Sequence, residues 1–375
     1  MKLSAIAIVA AAVFIIAAVA ISLPANNKNY IEPATIGAIQ PLTKSTVAVG
    51  EQVREGIDIA VDDVNAEGGI NGRPLKVIYE DDQCDSKTAV TAFEKLTSVE
   101  KVKIIIGPTC SSNVLAVAPS ANEKKVIILT TVASTPKVTQ AGDYVFRNTP
   151  SGEAYSNYIA EFAYYNLSAL TASALYLNLD NGVDFKDAFI KRFEGLGGSV
   201  LGAEAYEPTT TDFRSQLAKI KGQNPDVIFI AGQINHGIAI KQARELGLTQ
   251  RIIGPTTIES PDLIAQAGTA AEGVIYSAPK FDLNDSVVKS FGEKYKSKYN
   301  KTLGFRTAIS YDAVMIVASL LIKCGEDVEC TKRGLYETQN YSGVSGITSF
   351  DKNGDVDKPL MIKTVRNGKF VPYER

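Results

Sequence analysis

With 375 residues, 45% of them hydrophobic and 21% charged, the chain has the balance of a globular protein and the length for two separate cores. Its formal net charge of −2, with Lys and Arg spread along the whole length, argues against nucleic acid or an anionic membrane surface as the main partner.

The opening segment, residues 1–29, has one early Lys and then no charge from Leu3 to Asn27. It reads as an export signal, with a small-residue cleavage site at Ala18–Ala20. The apolar run Ala5–Leu23 also approaches the roughly 20 residues that span a bilayer, so a retained membrane anchor is the alternative. Either way the body of the protein is expected outside the cytoplasm. An oxidising compartment favours cysteine pairing. The expected bridges are Cys84–Cys110 and Cys324–Cys330, each pair close in sequence. With no Cys-x-x-Cys and the single histidine His236, no metal site is expected.

A buried strand is predicted over Ala34–Leu42. A helix follows, with Val53, Ile57, Ala60 and Val64 on one face and a stop at Gly68-Gly69. RPLKVIYEDD, KVKIIIGP and VIILTT read as further strands, with helices in DSKTAVTAFEKLTSV and CSSNVLAVAPSANEKK between them. This alternation predicts parallel strands with helices on both faces. The rhythm restarts at Ala172–Leu179 and runs through VDFKDAFIKRFEGLG, VLGAEAY, DFRSQLAKIKG, PDVIFIAG, HGIAIKQARELG, RIIGPT and GVIYSAP. A long helix is predicted over Ala308–Gly325, and Asp351-Lys352-Asn353-Gly354 as a turn between two short strands. Two α/β units of similar size result. Ligands of such sheets bind outside the carboxyl ends of the strands, so the cleft between the units is the expected site.

The stretch IIIGPTCSSNVLAVAP (Ile104–Pro119) puts hydroxyls where a strand turns into a helix. A nucleophile elbow would need a second glycine, and a phosphate loop a Gly-rich Lys-Ser/Thr motif; neither is present. A carboxylate seat remains, because a helix start presents free N–H groups with the positive end of the dipole behind them. Ser111 and Ser112 supply it here, and Thr130–Thr135 form a second hydroxyl-rich strand exit. The competing reading is that Ser111 is an ordinary helix N-cap. Asp351–Asp355 lacks the closing Glu of a calcium loop and reads as a turn.

The runs Thr35–Leu96 and Ile104–Pro119, above all DVNAEGGINGRPL followed by EDDQCD, resemble the periplasmic solute-binding proteins of the leucine/isoleucine/valine type, the receptors of branched-chain amino acid ABC importers. The resemblance covers nearly everything after residue 33. It implies a two-lobe type I periplasmic-binding-protein fold with three hinge crossings, each lobe a mainly parallel sheet with helices on both faces. Lobe 1 is expected over residues 30–150 and 278–345, and lobe 2 over 151–277 and 346–375. The resemblance also implies the Cys84–Cys110 bridge, and it implies that Ser111 holds the ligand carboxylate while Val132, Ala133 and Ser134 hold carboxylate and ammonium.

In the second lobe, Asn181 and Gln233 stand where the family places cleft aromatics, and Thr256 where an acidic residue meets the ligand ammonium. Glu259 lies three residues further on. An ammonium without a carboxylate partner forgoes roughly 1.5–3 kcal/mol, which disfavours a leucine-type ligand relative to an amide, urea or another carboxylate. The expected function is an extracytoplasmic solute-binding protein of an ABC importer. Its partners would be a small-molecule ligand and a membrane permease, with no nucleic acid, no cofactor and no catalysis. The alternative is a ligand sensor of the same fold, uncoupled from transport.

Overall fold

The computed structural model describes residues 31–232 and 234–374. The expected export segment therefore lies outside the described residues, as does Gln233. In chain order the first half runs β1 (Ala34–Gln40), α1 (Val47–Ala66), β2 (Leu75–Asp81), α2 (Ser86–Glu94), β3 (Ile104–Ile106), α3 (Ser111–Lys124), β4 (Ile127–Thr130), β5 (Val145–Arg147) and α4 (Gly152–Glu161). Then come β6 (Thr171–Leu177), α5 (Asp180–Gly195), β7 (Ser199–Tyr206), α6 (Arg214–Gln223), β8 (Val227–Ala231), α7 (His236–Glu245), β9 (Arg251–Gly254), α8 (Pro261–Ala267) and β10 (Ile275–Pro279). The chain closes with α9 (Ser286–Tyr299), α10 (Phe305–Cys324), α11 (Val328–Glu337), β11 (Tyr341–Gly343), β12 (Gly346–Thr348), β13 (Leu360–Arg366) and β14 (Lys369–Pro372).

Two main sheets form, one per lobe. The first has the order β2-β1-β3-β4-β5, parallel throughout. The second has the order β14-β13-β10-β9-β8-β6-β7, parallel except for β13 and β14. Strands buried on both faces read as near-continuous apolar runs. Successive residues of β3 show why: Ile104 and Ile106 pack into one cluster, Ile105 into the cluster on the opposite face. The second sheet repeats this, with Ile228 and Ile230 on one side and Phe229 on the other.

The helix α10 is apolar enough to cross a membrane by composition, yet two-thirds of it is buried within the first lobe. It lies against α1, and a Cβ at Gly56 would sit 2.2 Å from the Thr307 carbonyl oxygen. Only glycine permits that approach. Both expected disulfides are present, with Cα separations of 5.6 Å for Cys84–Cys110 and 5.7 Å for Cys324–Cys330.

The lobe boundaries differ from those expected. Residue 278 lies inside β10 of the second sheet, so that crossing falls just after Pro279. Residue 346 opens β12, and Phe350 and Val356 still pack in the first lobe's core, so the last crossing falls near residue 357. Strand character at Gly346–Thr348 belongs to a hairpin with β11, a pairing that local pattern does not reveal. Likewise Asp351–Gly354 is a turn, but it is bracketed by a single Phe350–Val356 bridge instead of two strands.

Two polar groups organise the crossings. Arg147, fully buried at the end of β5, donates to both carboxylate oxygens of Asp355 at 2.9 and 2.7 Å, to the Thr135 carbonyl and to Thr139 Oγ1. Lys358 is buried in the last crossing, where Nζ donates to Ser345 Oγ and Thr348 Oγ1. Ser345 in turn donates to the buried Asp312 of α10. Burial pushes the Lys358 ammonium down to about 8, against the opposing pull of Asp312.

Asp355→Ala would leave the Arg147 charge buried without its counter-ion, so the urea midpoint should fall by the equivalent of about 3 kcal/mol or more; a surface-like loss under about 1 kcal/mol would contradict this. For Lys358, the unfolded chain keeps its proton up to a pKa of about 10.4, whereas the folded chain releases it near 8. Across that window the unfolded state binds more protons, so stability rises with pH. Unfolding midpoints of wild type and Lys358→Met should therefore draw apart in the wild type's favour between pH values of about 8 and 10.

Candidate ligand-binding cleft

The loop leaving β3 is fixed before any side chain reaches the cleft. Gly107 has φ +105°, and a Cβ there would lie 2.3 Å from the Ile39 carbonyl oxygen. Buried Gln40 donates from Nε2 to the Ile106 carbonyl at 3.0 Å and accepts the Thr109 hydroxyl. Asp82, on the loop after β2, accepts from Asn113 Nδ2 at 2.9 Å and from the Cys84 N–H at 3.0 Å. With the Cys84–Cys110 bridge these contacts hold the start of α3 at the carboxyl edge of the sheet. Here the strand order reverses between β1 and β3, the place where an open α/β sheet leaves a crevice.

The N-cap of α3 is Cys110, with no side-chain cap, so Ser111 is not the cap but the first helical residue. Its Oγ accepts from the backbone N–H groups of Ser134 and Thr135 at 3.2 and 3.4 Å. The hydroxyl proton of Ser111 is then left to donate outward. Ser111 thus ties the start of α3 to the segment after β4. In that segment Val132 and Ser134 face the cleft. Ala133 instead turns into the core, and its N–H is committed to Thr130 Oγ1 at 3.2 Å.

Two adjoining cavities of about 390 and 210 Å³ occupy the cleft and share Val132, Ser134, Asn181 and Arg306. The smaller is walled by Ser111 and Ser112, the larger by Thr256 and Glu259. The structure therefore brings Ser111, Val132, Ser134, Asn181 and Thr256 together, sets Ala133 behind the wall, and leaves Gln233 outside the described residues. Thr256 opens a turn after β9 that delivers Glu259 to the wall. Glu259 accepts from Lys363 Nζ at 2.5 Å and from the Tyr276 hydroxyl at 3.0 Å. Burial, then the Glu259 charge, push the Tyr276 phenol far above its usual value and keep it a donor.

Several wall residues escaped sequence reading, among them three long polar side chains. Gln52 lies on α1, Tyr155 on α4 and Arg306 on the first turn of α10. Burial raises the Tyr155 phenol above its ordinary value. Arg306 stands two residues before the predicted helix start at Ala308, and no local signal marks it as a wall residue. Among the described residues no His/Cys/Asp/Glu group could hold a metal ion. A separate cavity of about 290 Å³ lies at the opposite end of the first sheet, where its Arg73 and Glu326 already pair at 2.8 Å.

Residues 33–369 match the family described as periplasmic binding protein. The leucine-, isoleucine-, valine-, threonine-, and alanine-binding protein of Pseudomonas aeruginosa is 26% identical over 96% of this chain and 94% of its own length. Among solved structures, the leucine binding protein of Thermotoga maritima MSB8 is 32% identical with a TM-score of 0.84, covering 91% of this chain and 97% of that one. The branched-chain amino acid transporter substrate binding protein LivJ of Streptococcus pneumoniae, solved with isoleucine, is 26% identical with a TM-score of 0.83, covering 90% and 98%.

The lobes meet at the mouth through Thr135, whose hydroxyl donates to Asp184 of α5, and through Lys137 and Asp180 at 3.4 Å. Asp184→Ala should shift the free protein toward an open form, seen as a larger radius of gyration in solution scattering. An unchanged radius would mean that the crossings alone set the angle between the lobes.

Proposed function

The chain belongs to the periplasmic binding protein family, and from that membership we propose that its cleft captures a small amino acid or related polar solute for a membrane permease. It is an extracytoplasmic solute-binding protein of an ABC importer, like the transporter receptors it is similar to. The observation that carries the reading is the convergence of Ser111 and Ser134 from one lobe with Asn181 and Thr256 from the other on adjoining cavities. In this reading the Ser111 hydroxyl and the free N–H groups of the first turn of α3 receive the solute's carboxylate. Val132 and Ser134 shape that seat with Ala133 packed behind it, and Asn181 and Thr256 supply the second-lobe side, to which the family position assigns Gln233. Glu259 is the carboxylate placed to meet an ammonium, a partner the Thr256 position itself lacks.

No covalent step belongs to this function. The one histidine, His236, lines neither cavity, so no imidazole stands beside Ser111 as a general base. Binding works by population shift, since contacts to both lobes favour the closed form, which the permease reads. The description of a similar protein as a transporter substrate binding protein favours delivery to a transporter over a free-standing sensor. The apolar N-terminal segment directs export in this reading.

A thermal-shift screen of amino acids, amides and small carboxylates tests it, because a solute at a hundred times its Kd adds about 2.7 kcal/mol to stability. Ser111→Ala should leave the melting of the free protein close to wild type and weaken a carboxylate-bearing hit by roughly tenfold. Unchanged affinity would displace the seat from Ser111.

A further inference from the structure

The cleft carries a positive charge that makes no ion pair among the described residues, although Glu259 and Tyr155 favour it from a distance. Arg306 lines both cavities, and among the described residues its guanidinium makes no hydrogen bond and no ion pair, although it offers five N–H donors. Among the described residues the one carboxylate of the larger cavity's wall, Glu259, is already paired with Lys363 at 2.5 Å. Asp180, in the smaller cavity's wall, pairs with Lys137.

The position of Arg306 adds to the effect. It sits in the first turn of the 20-residue α10, so its charge and the positive end of that helix face the same space, with Thr302, Gly304 and Phe305 beside it. The start of α3, with Ser111, faces the smaller cavity. Two separate positive helix ends therefore point into one cleft, and Arg306 reinforces the second. Buried hydroxyls accompany both: Thr46 Oγ1 in the wall of the smaller cavity and Thr257 Oγ1 in that of the larger have no partner among the described residues. A half-buried guanidinium without an ion-pair partner, in a cleft that also holds unpaired buried hydroxyls, is a site a ligand can complete.

We propose that Arg306 forms a second anion seat and that the solute is an acidic α-amino acid, its α-carboxylate at Ser111 and its side-chain carboxylate at Arg306. This rests on the cleft reading given above and narrows it. Ser111 and Glu259 serve any α-amino acid; Arg306 selects among them. The planar guanidinium matches a carboxylate in two-point contact, which a neutral side chain cannot return.

The test is calorimetry on the exported chain with L-glutamate, L-aspartate, L-glutamine and L-leucine, comparing wild type, Arg306→Met and Arg306→Lys. Wild type should prefer an acidic ligand over glutamine and leucine. Arg306→Met should weaken that ligand by roughly ten- to a hundredfold while changing leucine little, and Arg306→Lys should restore part of the loss. Melting of free Arg306→Met at or above the wild-type midpoint would establish that the variant folds. Tight leucine or glutamine binding by wild type, with no acidic ligand bound, would overturn the proposal and leave the solute-binding function standing. Equal losses for all ligands in Arg306→Met would overturn it too, placing Arg306 on the shared α-carboxylate. Binding of none of the four would remove the amino-acid reading of the cleft along with it.

Discussion

A single guanidinium holds together the parts of this protein that have to meet. Arg147 ends β5 where the chain first leaves the first lobe. Its contacts reach Asp355, ahead of the last crossing, and the carbonyl of Thr135, next to the Ser134 that faces the cleft. A buried cation is tolerated only when its donors are satisfied. Those same partners thereby fix one hinge strand, one loop of the cleft and the turn at Asp351–Gly354 relative to one another. The start of α3 at Ser111 inherits that order, because its hydroxyl accepts from the backbone of residues 134 and 135.

Parallel sheets explain why the polar chemistry collects in one place. Both faces of each sheet are covered by helices, so ordinary positions along the strands are apolar and unavailable to a solute. What remains is the carboxyl edge, where loops carry hydroxyls and helices begin. Turning two such edges toward each other concentrates helix N-termini and their free N–H groups on a small volume. The wall combines that positive character with Glu259, held between Lys363 and the Tyr276 hydroxyl. A carboxylate fixed by two donors is oriented before any ligand arrives, which reduces the ordering cost of binding.

The chain's own pattern was enough for much of this. Apolar runs bounded by Gly, Pro and polar residues revealed the alternation of strand and helix in both lobes, because burial on two faces leaves a strong local signal. The expected export and the spacing of the cysteines predict both disulfides, and Ser111, Val132, Ser134, Asn181 and Thr256, expected at the site through their place in a resembling family, line the two cavities. Less legible were β11, β12 and the end of the first lobe. Three-residue strands gain their identity from a partner, and the Phe350–Val356 bridge from packing against the first core.

What the sequence determined by itself is whatever neighbours along the chain decide: element type, the two-unit plan, and the hydroxyls at the start of α3. The tertiary structure decided which side chains share a wall. Ala133 and Ser134 are adjacent in sequence, yet one enters the core and the other the cleft, because the β4 exit loop turns between them. Arg306 gives no local sign of its place in the cleft wall, since an arginine in a first helical turn is ordinarily solvated. Only the packing of α10 into the first lobe against α1 brings its first turn to the cleft, and that depends on contacts distant in sequence, such as Gly56 against Thr307.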